Sequence, residues 1–269
     1  AVADETAQLM EYSARLEAQS QELARTAAQL REANAKLTRL SVQKDAFLSQ
    51  ISHELRTPMT SIRAFSEILR DTTGLAPEEQ HKYSSIIHDE AIRLTRLLDD
   101  LLDLSVLENG QVNLNLREGL LSDVLDRAVA AAAADEHGAR LRIIRDPAAE
   151  QVRLNTDLDR LSQVFINLVA NARKYCDATR PALEVRVHSR DRLVIDFVDN
   201  GTGISPEAQD VIFEKFSRVS DQKAGGAGLG LAICRQIVTR LGGEISYLKG
   251  QRGAAFRVVL PADIAMAAE

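Results

Sequence analysis

Phe47-Leu48-Ser49-Gln50-Ile51-Ser52-His53-Glu54-Leu55-Arg56-Thr57-Pro58 is the stretch from which the rest of this chain is read. Apolar residues at Phe47, Leu48, Ile51, Leu55 and Ile62 follow a helical period, so one face is expected to be buried. His53 falls between those positions and is expected to look outward. A histidine on a rigid helix beside an ionisable neighbour suits proton or phosphoryl chemistry. Taken alone it reads as an ordinary surface residue, and the segments on either side change that reading.

Upstream, residues 1–44 lack Gly and Pro, and leucines stand at 9, 16, 23, 30 and 37, a strict seven-residue repeat. That is a coiled-coil seam with one strong position. The other seam position is poor in either register: Thr6, Ser13, Ser20, Ala27 and Asn34, or Tyr12, Gln19, Thr26, Ala33 and Leu40. A weakly cohesive coil suits an element that changes twist, and equally a plain dimerisation rod. After Leu40 the spacing shifts to steps of four at Phe47, Ile51 and Leu55, which locally alters supercoiling. The helix is expected to pass through Pro58 with a kink and to end near Asp71-Thr72-Thr73-Gly74. Pro77-Glu78-Glu79 opens a second helix to about Glu108, with a wide apolar stripe at Ile86, Ile87, Leu94, Leu97, Leu98, Leu101, Leu102 and Leu104. Two such helices close no core alone; two copies make a four-helix bundle, so a homodimer is expected.

Past Asn109-Gly110 the pattern changes. Helices are expected at 122–136, 158–175 and 229–241, and strands at 141–144, 183–188, 193–198, 244–248 and 255–260. Strands adjoining in sequence with helices grouped apart predict an α+β sandwich. The full reading is therefore an α+β multidomain chain: coiled coil 1–44, helical hairpin 45–108, linker 109–116, sandwich domain 117–262 and tail 263–269.

Composition narrows the partners. A net charge of −6 gives no support for a nucleic-acid surface. The two cysteines, Cys176 and Cys234, lack metal-ligand spacing and read as free thiols inside helices in a reducing compartment. No apolar run reaches the length of a membrane span, and there is no signal peptide. The chain starts without Met inside a helical pattern, so it reads as a piece of something longer.

Three clusters in the second half carry chemistry. Asn167 and Asn171 share one helix face, with Lys174 and Tyr175 following; amide oxygens suit Mg²⁺, which leans on substrate phosphates. Asp199-Asn200-Gly201-Thr202-Gly203-Ile204 follows a strand directly, placing an acid and a tight turn at its end. Gly225-Gly226-Ala227-Gly228-Leu229-Gly230-Leu231 leads into a helix, where backbone N–H groups and the helix dipole favour phosphate. Phe213-Glu214-Lys215-Phe216-Ser217-Arg218 precedes it, and the span between reads as a mobile lid. No βαβ unit surrounds the glycines, which disfavours a Rossmann site.

In order and spacing these segments resemble the sensor histidine kinases of bacterial two-component systems, from about Lys44 to Pro261. His53–Pro58 is similar to the phosphoacceptor box of a HisKA-type domain. Asn167–Tyr175 is similar to the N box, Asp199–Gly203 to the G1 box, Phe213–Phe216 to the F box and Gly226–Gly230 to the G2 box. The resemblance implies a Bergerat (GHKL) ATP-binding fold like that of gyrase, Hsp90 and MutL ATPases, using ATP and Mg²⁺. It implies that Asp199 accepts from the adenine amino group and that Asn171 is the main Mg²⁺ ligand, with Asn167 close by. Lys174 and Tyr175 would face phosphate and ribose, Gly201 and Gly203 would shape the turn, and Gly226, Gly228, Leu229 and Gly230 would cradle phosphate. Arg218 would reach the γ-phosphate.

His53 would be the nucleophile, with Glu54 holding the other ring nitrogen's proton. Thr57 would orient a water that dephosphorylates a response regulator docked near Ile62–Leu69. Arg56 and Pro58 read as structural, and His81, His88, His137 and His188 as surface residues. The implied activity is ATP-dependent histidine autophosphorylation and transfer to a receiver-domain aspartate. A cytoplasmic setting is implied, with a sensor domain lying before this chain in a soluble or membrane-anchored parent. A GHKL-type ATPase driving a clamp, or a non-catalytic dimeric scaffold, are the rival readings; steady phosphate release without a phosphoenzyme marks the first.

Overall fold

The computed structural model describes residues 2–108, 113–133, 141–189, 191–217 and 228–261. It divides into two compact units, Ala1–Glu54 and Leu55–Glu269. Helix α1 runs over Val2–Asp71 as one element with Pro58 inside it. In the first unit the heptad leucines Leu16, Leu23, Leu30 and Leu37 are all more than half exposed, as a seam is when only one strand of it is present. The expected burial of one face around His53 is only partial. Phe47, Ile51 and Leu55 are half-buried, whereas Leu48 is 50% exposed.

In the second unit, α2 (Pro77–Glu108) forms the hairpin with the last part of α1, joined by the 72–76 turn and a stacked Phe65–Tyr83 pair at 5.4 Å. The apolar stripe expected on α2 divides in two. Leu97, Leu104 and Leu107 are buried, whereas Leu98, Leu102 and Val106 are exposed.

The sandwich domain comprises β1 (Arg117–Leu120), α3 (Leu121–Ala133), β2 (Arg142–Ile144), β3 (Arg153–Thr156), α4 (Leu158–Tyr175), β4 (Ala182–Ser189), β5 (Leu193–Asp199), α5 (Pro206–Gln209), α6 (Gly230–Arg240), β6 (Glu244–Tyr247) and β7 (Ala255–Leu260). The main sheet has the order β2-β4-β5-β7-β6, parallel only between β2 and β4. A separate antiparallel pair, β1–β3, was not legible in the sequence. Cys176 is the C-cap of α4 rather than a helix-interior residue, and both cysteines are free.

Alternation sets the two faces of the sheet. Leu183 and Val185 on β4, and Leu193, Ile195 and Phe197 on β5, are buried. They meet the apolar face of α4, built at helical spacing from Leu161, Val164, Phe165, Leu168 and Ala172. Phe165 and Phe197 pack at 5.2 Å in this layer. On the opposite face Arg257 holds Asp196 through two bonds of 2.7 Å, satisfying a carboxylate only 2% exposed. Asp157 caps α4 by accepting from Arg160 N at 3.1 Å, and also accepts from Asn115 N at 3.0 Å.

Candidate functional site

Asp199 owes its place to the period of β5. After Leu193, Ile195 and Phe197 it is the next residue on the core side, so the strand delivers a carboxylate, 7% exposed, to the end of the core. Its Oδ1 accepts from Gly201 N and Ala254 N, both at 2.9 Å, and neither bond uses Oδ2. Burial pushes its carboxyl above the usual carboxylate range, opposed by those two N–H donors. Ala254 reaches Asp199 because residue 253 is glycine. A Cβ there would lie 2.2 Å from the Asp199 carbonyl oxygen and 2.3 Å from its Oδ1.

The turn after Asp199 is braced from α4's end. Asp177 accepts from Thr202 N and Thr202 Oγ1, each at 2.8 Å, and these bonds hold its carboxyl below the ordinary range. Asn200 accepts from Ala182 N at 2.9 Å and donates to the Arg180 carbonyl at 3.0 Å, tying the same turn to β4. Tyr247 Oη accepts from Ile204 N at 3.3 Å.

These elements bound a cavity of about 790 Å³, ample for a nucleotide. Asn171, Lys174 and Tyr175 line it from α4; Asp199, Gly201 and Gly203 from the β5 end; and Gly228, Leu229 and Gly230 from the start of α6. Asn167 lies beside the lining, its Nδ2 3.5 Å from the Gly230 carbonyl oxygen. Lys174 Nζ stands 4.9 Å over the Tyr175 ring. The N-cap residue of α6, Leu229, supplies no side-chain hydrogen bond to the first N–H groups of the helix.

Gly228 has φ +68°, and a Cβ on it would meet the Phe216 carbonyl carbon at 2.8 Å. Phe216, itself at φ 61°, donates from its N to the Gly228 carbonyl at 2.9 Å, so the F-box and G2-box segments join at this point. Arg218 and Gly226, and the lid expected between them, lie outside the described residues, as does His137.

Helix α2 reaches the same cavity. Asp100 is part of its lining. Asp103 accepts from Arg160 at 3.1 Å and Gln163 at 2.7 Å, and Arg240 donates to the Leu107 carbonyl. Burial, then Asp103 and Asp99, push the Asp100 carboxyl up to about 6. Burial likewise pushes the Cys234 thiol up to about 12.

His53 is exposed on α1 and Glu54 half-buried; Glu54 Oε1 accepts from Gln50 at 3.4 Å. Both belong to the first unit, whereas Thr57, also exposed, belongs to the second, which begins at Leu55. His81, His88 and His188 are exposed too, so exposure alone does not single out His53. Among the described residues no group of three or more His, Cys, Asp or Glu is arranged to hold a metal. One Asn171 amide oxygen in this nucleotide-sized cavity instead fits an ion that arrives with its own phosphate oxygens and waters, the habit of Mg²⁺.

Sequence reasoning missed Asp177, Gly253 and Asp100. Nothing local marks Asp177, whose partner lies 25 residues on. Gly253 sits in a turn leading into β7, where a glycine near a strand is a sign of close backbone approach. Asp100 stands in the row Leu97, Asp100, Leu104, Leu107, and a carboxylate interrupting an apolar row was a readable signal.

Residues 156–264 match the family of histidine kinase-, DNA gyrase B-, and HSP90-like ATPases, and residues 43–110 match the His Kinase A (phospho-acceptor) domain. The aerobic respiration control sensor protein ArcB of Escherichia coli (strain K12) is 34% identical over 236 residues, covering 84% of this chain and 30% of that protein. The sensor protein kinase WalK of Staphylococcus aureus is 32% identical over 237 residues, covering 82% of this chain and 54% of the relative. The chain thus spans about a third to a half of these curated relatives. The histidine kinase AdeS of Acinetobacter baumannii superposes with a TM-score of 0.61 at 25% identity, covering 78% of this chain and 98% of that one. Full-length ShkA, solved in complex with AMPPNP, shares the fold with a TM-score of 0.58 at 24% identity, over 82% of this chain and 46% of that one. No described helix is long and apolar enough to cross a membrane.

Proposed function

This chain belongs to the sensor histidine kinases of two-component signalling, and on that premise we propose that it binds ATP in the cavity around Asp199, phosphorylates His53 and passes the phosphoryl group to an aspartate of a response regulator. The observation that carries this reading is one cavity joining a half-satisfied buried carboxylate, Asp199, to the N-terminus of α6, whose N-cap residue Leu229 offers no side-chain hydrogen bond. Asp199 Oδ2 is left to accept from the adenine amino group, and the α6 N–H groups to receive phosphate. Lys174, also in the lining, adds positive charge to the cavity. Mg²⁺, held by Asn171 and the nucleotide's phosphates, would neutralise charge on the transferred group.

Phosphoryl transfer asks the protein for position more than for covalent help. A neutral His53 ring nitrogen forms the N–P bond as the bond from γ-phosphorus to the β-bridging oxygen breaks, and ADP leaves. Glu54, beside His53 in the chain, is suited to take the proton the ring gives up. The N–P bond then breaks as a receiver-domain aspartate oxygen forms its bond to phosphorus. The exposed rows of α1 and α2, with the heptad leucines, support a homodimer built on a four-helix bundle. The free thiols accord with a cytoplasmic setting. The sandwich at 117–262 is the catalytic domain in this reading, and 45–108 the dimerisation and phosphotransfer hairpin.

The test is transfer of label from [γ-³²P]ATP into the chain as an acid-labile, base-stable adduct; its absence from the wild type refutes the kinase reading. Asn171→Asp is expected to lower autophosphorylation on the order of a hundredfold, by placing like charge at the phosphates, while sedimentation still reports a dimer. Thr57→Ala is expected to keep autophosphorylation and slow regulator dephosphorylation about tenfold or more. Unchanged phosphatase rates would remove Thr57 from that step.

A further inference from the structure

Helix α2 seats on the sandwich domain through a defined set of contacts. Asp103 bonds Arg160 and Gln163 of α4, Arg240 of α6 bonds the Leu107 carbonyl, and Leu104 and Leu107 are buried in the same turns. Asp100, one turn before Leu104, thereby becomes part of the nucleotide cavity's wall.

Its place within the cavity follows from its neighbours. Asp100 bears electrostatically on Cys234, which lies one helical turn past Gly230 on α6. Cys234 also interacts with Asn167, whose Nδ2 faces the Gly230 carbonyl oxygen. Asp100 therefore stands at the α6 end of the cavity, and Asp199, Gly253 and Tyr247 mark the other. A nucleotide whose base is held at Asp199 extends its phosphates toward α6, so the last phosphate comes nearest to Asp100.

No cation pairs with Asp100 among the described residues, and its acidic neighbours are Asp99 and Asp103. Asp103 is already engaged by Arg160 and Gln163 of α4.

We propose that Asp100 is a specificity-determining residue of the nucleotide site, which discriminates against the nucleoside triphosphate and in favour of the diphosphate while α2 is seated. The proposal rests on the nucleotide reading of the cavity. The carboxylate is half-buried, so its repulsion of one additional phosphate charge is screened less than a surface pair would be. Even with its carboxyl pushed up to about 6, Asp100 is ionised at pH 7.5. A diphosphate ends short of the carboxylate and meets less of this repulsion.

The experiment is calorimetric titration of the full chain at pH 7.5 with Mg²⁺, using ADP and the β,γ-imido analogue of ATP. Asp100→Asn is expected to tighten the triphosphate analogue about fivefold, an effect the size of a screened charge pair, and ADP less than twofold. Asp100→Glu, which keeps the charge, is expected to keep the wild-type ratio. Asp100→Ser, smaller and neutral, gives the same reading should the amide disturb packing. Equal shifts for both nucleotides overturn the proposal, because a merely structural role moves them together. A weaker triphosphate in Asp100→Asn also overturns it, pointing to Asp100 as a ligand for the accompanying cation. Failure of the wild type to bind either nucleotide refutes the nucleotide reading itself.

Discussion

Incubated with γ-labelled ATP, the His53→Gln chain is expected to take up no label, while its nucleotide affinity and helical content stay at the wild-type level. Gln is close to His in reach and is a good helix former, so α1 keeps its shape. Its amide nitrogen, unlike the imidazole's, has no free lone pair with which to attack phosphorus. The comparison is sharp because His81, His88 and His188 are also exposed and remain in the variant. Residual acid-labile label would place the acceptor at one of the four remaining histidines, His137 included, and sink the assignment to His53. Loss of label together with loss of nucleotide binding would instead show that the substitution had disturbed the fold.

Gly253→Ala is expected to lower nucleotide affinity about tenfold or more and to destabilise the sandwich domain by about 1–3 kcal/mol, the usual range for forcing an atom into a packed interior. The added methyl would sit 2.2 Å from the Asp199 carbonyl oxygen and 2.3 Å from its Oδ1. Neither side yields easily. The Asp199 N bonds the Ala254 carbonyl at 2.9 Å, and the Ala254 N returns a 2.9 Å bond to Asp199 Oδ1, so displacing either residue breaks both. Asp199 Oδ2 would then shift from where it is proposed to accept from the adenine amino group. Gly250→Ala is the control. It carries φ +81° with nothing within 4 Å of a Cβ, so it pays only backbone strain, about 1 kcal/mol, and should bind nucleotide normally. Fluorescent-nucleotide titration and thermal melts separate the two; equal affinity in Gly253→Ala and wild type would show that Asp199 is not held by this packing.

Much of this was legible because it is local. The 3.6-residue period of α4 placed its ends at Leu158 and Tyr175, and alternation marked β5, which together bring Asn171 and Asp199 to one cavity. The strand pair β1–β3 was hidden, since Arg117-Glu118-Gly119-Leu120 has no alternation and its partner lies more than 30 residues away. The sequence of α2 shows one wide apolar stripe. In the structure Leu97, Leu104 and Leu107 are buried while Leu98, Leu102 and Val106 face outward. A sequence registers apolar residues but not which neighbour each row awaits, so the break that Asp100 makes in its row is legible while its place in the cavity wall is not. The brace from Asp177 to Thr202 was equally out of reach, because one hydrogen-bonding side chain among many carries no period.

The last turns of α2 carry a liability that appears only on dissection. Leu104 and Leu107 are at most 1% exposed, while Leu102 and Val106, on the other side of the same turns, are 64% and 46% exposed. A hairpin cut out near residue 108 would be greasy around most of its circumference there, and a sandwich domain cut out beyond it would show the bared imprint on α4 and α6. Each fragment would carry a sticky patch that the intact protein keeps covered. Aggregation or oligomer size measured on either piece would then report the cut rather than the protein.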